Sequence, residues 1–121
     1  MKKIPVLPQN DANQCVNQPI ALSISPQQCA FLAEVVHAAA DKTRIAILDL
    51  LTQTDAYLCV CDITAQFQLN QPTISHHLRI MREAGLISKK MSGVWAHYQI
   101  TQTGKDLLAA IYHVQPVSDP S

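Results

Sequence analysis

Glycine is scarce in this chain: Gly85, Gly93 and Gly104 are the only three among 121 residues. Glycines so few and so scattered exclude a glycine-rich loop of the kind that cradles phosphates. Long apolar runs are missing too. None approaches the ~20 residues that a membrane helix needs, so no membrane partner is expected. No signal-peptide pattern opens the chain, and the expected location is cytoplasmic. The sequence has no C-x-x-C pair, no βαβ pattern, no Ser/His/Asp order and no paired-carboxylate motif, which leaves little room for an enzyme. Net charge is absent as well, since 9 Lys and Arg offset 9 Asp and Glu.

What is present is unevenly spread. A hydrophobic content of 48% supports the core of one domain. A domain of this size buries a limited share of its surface, so dimerisation would add stability. From Gln71 to Tyr98 the cations Arg79, Arg82, Lys89 and Lys90 stand against Glu83 alone, with His76, His77 and His97 besides. From Glu34 to Asp62 the balance reverses, with Glu34, Asp41, Asp49, Asp55 and Asp62 against Lys42 and Arg44. A neutral chain divided in this way can still present a basic face to nucleic acid.

Residues 1–24, with Pro5, Pro8 and Pro19 and no apolar period, read as an extended N-terminal arm. Ser25-Pro26-Gln27-Gln28 then supplies a helix start with a capping box. Cys29, Leu32, Val35, Val36 and Ala39 recur behind it at helical spacing. Asp41 is placed to cap a second helix through Leu51, and Asp62 a short third one to about Gln68. Asn70 caps a fourth, which tolerates Pro72 in its first turn and stops at Gly85. Leu86–Met91 and Val94–Ile100 flank Ser92-Gly93, a two-residue hairpin signal. Thr103 can cap a last helix to about His113. The expected fold is mainly α with a small β-hairpin (α+β), a winged helix-turn-helix over residues 25–114, with a flexible tail at 115–121.

On the fourth helix, Ile74, Leu78 and Met81 fall on one side at ~100° per residue, while Gln71, Ser75, Arg79 and Arg82 fall on the other. His76 lies at the margin of that polar side. Such a face suits a DNA major groove: Arg and Gln read base edges, while Ser75 and Thr73 hold phosphates. The plainer alternative is an ordinary solvated helix surface. The short helix before it and the hairpin after it, with Lys89 and Lys90, favour duplex DNA. His77 sits toward the apolar side and reads as a structural histidine. Trp95 and Tyr98 read as packing residues.

Four cysteines remain: Cys15, Cys29, Cys59 and Cys61. In a reducing compartment they are thiols or metal ligands rather than a disulfide framework. Cys59 and Cys61 fit two small buried hydrophobes as well as they fit a soft-metal site. Positions i and i+2 diverge by ~200° within a helix, yet can converge at a non-helical helix entry. A helix N-terminus also favours the thiolate. Two sulfurs do not make a tight site, so a third must come from elsewhere. Cys15 on the arm is the first candidate, and Cys29 on the first helix the second.

Leu58-Cys59-Val60-Cys61-Asp62, Gln71-Pro72-Thr73-Ile74-Ser75-His76-His77-Leu78 and Ala84-Gly85-Leu86 resemble the ArsR/SmtB metalloregulatory repressors. The likeness runs from about Ser25 to Ile100. It implies a homodimeric, cytoplasmic repressor of an arsenical-resistance type of operon, which leaves double-stranded operator DNA when a metal or metalloid binds. It carries the thiolate role onto Cys59 and Cys61. Arsenical sensors often place a third cysteine where this chain has Thr64, while other members bring thiols in from an arm, as Cys15 could do. Cadmium and lead sensors tend to use two arm cysteines. A single arm cysteine favours a three-coordinate inducer, As(III) or Sb(III), with Cd(II), Pb(II) or Zn(II) as alternatives. The zinc site of other members begins with Asp-x-His, which Asp106-Leu107-Leu108 does not match. A thiol redox-sensing repressor and, last, a small thiol reductase remain as rival expectations.

Overall fold

The structure is a computed structural model that describes residues 15–117; positions 1–14 and 118–121, part of the expected arm and tail, lie outside the described residues. No helix or strand occurs at 15–25. Helix α1 (Pro26–Ala39) then begins as its sequence requires. Ser25 Oγ accepts the Gln28 N–H at 3.1 Å, and Gln28 Oε1 accepts the Ser25 N–H at 3.0 Å. Its apolar residues divide in a way that spacing alone does not reveal. Val35, Ala38 and Ala39 are buried, whereas Cys29, Leu32 and Val36 of the expected stripe are exposed, along with Phe31.

Helix α2 (Lys42–Thr52) starts at Asp41, whose Oδ2 accepts from the N–H groups of Thr43 and Arg44 at 2.8 and 3.1 Å. The next element is one the sequence reading lacks. Leu58 and Cys59 form strand β1 (Leu58–Cys59), which pairs antiparallel with Tyr98 and His97. This pairing corrects the start of α3 (Val60–Thr64). Because the ladder holds the chain extended through Cys59, the helix cap is Cys59 rather than Asp62, which falls inside the first turn. The helix also ends at Thr64, short of Gln68.

Helix α4 (Gln71–Glu83) agrees with expectation at both ends. Asn70 Oδ1 accepts the Thr73 N–H at 2.9 Å, and Gly85 takes φ +82°. Leu86 N–H then reaches Met81 O at 2.9 Å and Gly85 N–H reaches Arg82 O at 3.0 Å, a Schellman closure that only a left-handed residue permits cheaply. Strands β2 (Ile87–Ser92) and β3 (Trp95–Ile100) make the wing, and Ser92 pairs with Trp95. The turn is therefore Gly93-Val94, one residue later than Ser92-Gly93, with Gly93 at φ +62° taking the turn's first position.

Helix α5 (Gln102–Tyr112) is capped by Thr101, two residues before the expected Thr103. Thr101 leaves the end of β3 extended, so its Oγ1 is placed to accept the Gly104 N–H at 3.1 Å. The strand order is β1-β3-β2, all antiparallel. Ile47, Leu48 and Leu51 of α2, Ile63 of α3, Ile74, Leu78 and Met81 of α4, and Leu108 of α5 meet Leu86 and Ile87 in a fully buried core. Each such side chain contributes about 1.5–3 kcal/mol by leaving water. The arrangement is a winged helix-turn-helix: α3 and α4 pack together, and the β2–β3 hairpin stands beside α4. Among the described residues no helix is long and apolar enough to cross a membrane.

Candidate nucleic-acid interface and thiol pair

The burial of Ile74, Leu78 and Met81 turns the opposite side of α4 outward. Gln71, His76, Arg79 and Arg82 are exposed there, with Thr73 and Ser75 half-buried. Between this face and the wing runs an open groove of about 330 Å³. Gln71, Ser75, Arg79 and Arg82 line it from α4, Lys89 from β2, and Trp95, Ala96 and Tyr98 from β3. Among the described residues no carboxylate lines it. Burial pushes the Tyr98 phenol up from its ordinary value, against the opposing pull of the Arg82 charge.

Three of the expected DNA residues stand outside this groove. Thr73 and His76 do not line it, and His76 Nδ1 instead lies 3.1 Å from Arg79 Nη2. Lys90 is placed by strand alternation on the other face of β2 from Lys89, with its Nζ 5.2 Å from the centre of the Tyr57 ring. The two aromatic residues of the wing differ. Tyr98 is buried as a packing residue, but Trp95 is 52% exposed, contrary to its expected packing role. A Trp at the open end of a two-stranded hairpin has too few neighbours to cover it.

His77 lies on the inner side of α4, as its place near the apolar stripe suggests. Arg44 Nη1 donates to its Nδ1 at 3.0 Å, and Asp41 Oδ2 is 4.0 Å from the same nitrogen. Sequence reading gave Arg44 no role. Its only signal was a position three residues after the cap Asp41, on a helix that must pack against α4.

The thiols converge. Cys59 Sγ and Cys61 Sγ lie 2.7 Å apart. Cys59 ends β1 and caps α3, with Sγ 3.4 Å from the Cys61 N–H, while Cys61 occupies the first turn. The i, i+2 pair meets because only Cys61 is helical. Cys59 is buried and Cys61 exposed. The expected thiolate-favouring effect of the helix end does not prevail at Cys61. Its hydrogen bond to Cys59 pushes the thiol up, helped by desolvation and by the neighbouring charges of Cys59 and Asp62.

Two convergent sulfurs suit a thiophilic ion, but they are an incomplete set. Among the described residues no three His, Cys, Asp or Glu side chains come together in a way that could hold a metal. Cys15 is exposed before α1, and Cys29 is exposed on it. Thr64, at the third-cysteine position of the arsenical pattern, donates its hydroxyl to Val60 O at 2.7 Å. Val60, between the two cysteines in sequence, lines the same groove as Arg79 and Arg82.

Residues 41–89 match the model of the bacterial regulatory protein arsR family. The chain is 43% identical over 68 residues to an uncharacterized HTH-type transcriptional regulator of Methanocaldococcus jannaschii, covering 56% of this chain and 75% of that protein. It is 42% identical over 62 residues to the arsenical resistance operon repressor of Escherichia coli, covering 51% of this chain and 52% of the repressor. The solution structure of a homodimeric winged helix-turn-helix DNA-binding domain from Mycobacterium bovis, a possible ArsR-family regulator, superposes with a TM-score of 0.63 at 27% identity. That match covers 76% of this chain and 87% of the domain.

Proposed function

Because the chain belongs to the arsR family of bacterial transcriptional regulators, we propose that it is a cytoplasmic homodimeric repressor released from its operator by As(III) or Sb(III). It is a regulator rather than an enzyme, which removes the small thiol reductase considered from its sequence. The chain aligns with about half of the E. coli repressor's length, so that protein's activity enters here only as support. The observation that carries the reading is the meeting of Cys59 and Cys61 sulfurs at 2.7 Å, on either side of a residue that lines the cationic groove.

In this reading Gln71, Ser75, Arg79, Arg82 and Lys89 face duplex DNA, with Thr73, His76 and Lys90 at the margins. Phosphate contacts set affinity, and Arg79 with Gln71 reads base edges. Phe31, Leu32 and Val36 of α1 and Tyr112 of α5 are exposed apolar side chains that a second copy would cover, and the M. bovis relative is homodimeric. Two such subunits would present two α4 helices to successive major grooves of a palindrome. The inducer would be held by Cys59, Cys61 and one further thiol, that of Cys15 ahead of Cys29. Thiolates supply the soft donors that a trivalent metalloid prefers. Linkage then makes DNA weaken inducer binding by the factor with which inducer weakens DNA binding, typically ~1–3 kcal/mol.

A second reading has its own support. Two sulfurs this close, one of them exposed, are also placed for oxidation to a disulfide, giving up two electrons and two protons to an oxidant such as peroxide. Mobility shift on promoter duplex under anaerobic reducing conditions separates the two. Arsenite releases the DNA there if the metalloid reading holds. Release by peroxide alone, reversed by dithiothreitol, supports the redox reading. Cd(II), Pb(II) and Zn(II) are titrated in the same assay.

A further inference from the structure

The tip of the wing is apolar where a purely electrostatic DNA contact would have it charged. Val94 is 85% exposed, Met91 53% and Trp95 52%, and nothing among the described residues covers them. Trp95 and Val94 line the same groove as Arg79, Arg82 and Lys89. A strand of DNA whose phosphates sit on Arg82 and Lys89, while Arg79 reaches the bases, therefore passes against the Trp95 ring. Phosphate contacts are salt-dependent because they release counterions, whereas the burial of an aromatic ring on sugar or base is not. We propose that Trp95 is a nucleic-acid contact residue: its indole packs on the deoxyribose and base edges of duplex DNA, and supplies a salt-insensitive part of the affinity.

The proposal rests on the operator-binding reading. Charge complementarity decides the occupant. A groove with three cations and, among the described residues, no carboxylate fits a polyanion with apolar faces, which describes a DNA strand with its sugars. The hairpin geometry suits the task. Gly93 at φ +62° closes the turn tightly, so Val94 and Trp95 project at the tip of a rigid two-stranded ribbon rather than on a loose loop. Wedge-like apolar contacts of this type belong to proteins that reach the minor groove, where readout depends on groove width more than on base identity.

Trp95 is the chain's single tryptophan, so its fluorescence reports this contact alone. The experiment uses the full chain and a duplex from its own promoter, with binding followed separately by mobility shift. The expected result is quenched emission and loss of acrylamide accessibility on DNA addition. Trp95→Ala should lower affinity about tenfold, within the range that burying an apolar side chain contributes, with the slope of log K against log salt unchanged. Lys89→Ala should instead reduce that slope by about one. Trp95→Tyr should recover most of the loss, and the melting temperature of each variant confirms folding. Unchanged acrylamide accessibility in a duplex-bound protein overturns the proposal while leaving operator binding standing. So does protection that appears on dimerisation without DNA, which would make the tip a protein interface. A chain that binds no duplex at any salt refutes the operator reading, and this one with it.

Discussion

Arg44, on α2, donates from Nη1 to Nδ1 of His77, on the helix that carries Arg79, at 3.0 Å. A guanidinium has no acceptor, so Nδ1 must be one, and the His77 proton sits on Nε2. The bond ties the outward-facing helix to the helix behind it. Its neighbour in sequence is tied the other way, for His76 Nδ1 lies 3.1 Å from Arg79 Nη2 on the exposed face.

The adjacent histidines should therefore separate stability from DNA binding. His77→Ala strips the acceptor from Arg44, whose Nε already lacks a partner among the described residues. Leaving a part-buried donor unsatisfied costs about 1 kcal/mol, so thermal melting should fall, with DNA affinity lost only as the fold weakens. His76→Ala should melt as wild type and bind DNA less tightly. A stable His77→Ala protein that has lost the operator would show the two roles reversed.

Asp41 gives the fold an acid limit. Burial raises its carboxyl, but the N–H bonds from Arg44 and Thr43, with the nearby Arg44 charge, hold it below its ordinary value on balance. A carboxyl depressed by folding stabilises fully above its unfolded value, and that share is lost as pH falls through the lower folded value. Asp41→Asn should accordingly flatten the decline in melting temperature below about pH 4. An unaltered acid profile would remove Asp41 from the explanation. Asp41→Ala, which also loses the cap, should cost about 1 kcal/mol at neutral pH.

Much of this fold is legible in the sequence, because caps are local chemistry. Ser25, Asp41 and Asn70 each bind an N–H two or three residues on, and Gly85 takes the positive φ that ends α4. What fails to show is whatever depends on distant partners. Strand β1 is two residues long and exists only because β3, nearly forty positions later, pairs with it. Without that strand the start of α3 shifts from Cys59 to Asp62. Thr103 reads as the cap of α5 until the end of β3 places Thr101 there instead. The stripe on α1 reads as core or interface by spacing, and nothing among the described residues fully covers Leu32 and Val36. At the site, spacing leaves Cys59 and Cys61 either buried or convergent, and the ladder that ends at Cys59 resolves it.

Gly104 tests the close packing of α5 on the wing. A Cβ added there would overlap the Leu86 carbonyl oxygen and fall 2.7 Å from Ile100 Cγ1. Backbone cannot yield as a flexible side chain can, so Gly104→Ala should destabilise by about 1–3 kcal/mol. A melting temperature equal to wild type would mean that α5 moves freely against β2.

The thiol pair has a reactivity signature. The hydrogen bond to Cys59 is the leading cause of the upward shift at Cys61. Cys59→Ser should bring alkylation of Cys61 to lower pH, since the thiolate is the reacting species. The rate is read at the Cys61 peptide by mass spectrometry, which keeps Cys15 and Cys29 out of the signal. An identical pH–rate profile in the variant would mean that the two sulfurs do not interact in solution.

The central claim is that Cys59 and Cys61 bind the inducer with a third thiol brought from elsewhere. Arsenite titration of each single Cys→Ser variant on labelled operator duplex tests it most directly, with sulfur–arsenic coordination checked by X-ray absorption. The account predicts that the Cys15, Cys59 and Cys61 variants hold the operator but are not released, while Cys29→Ser is released like wild type. Release of the Cys59 and Cys61 variants at the wild-type arsenite concentration would contradict it.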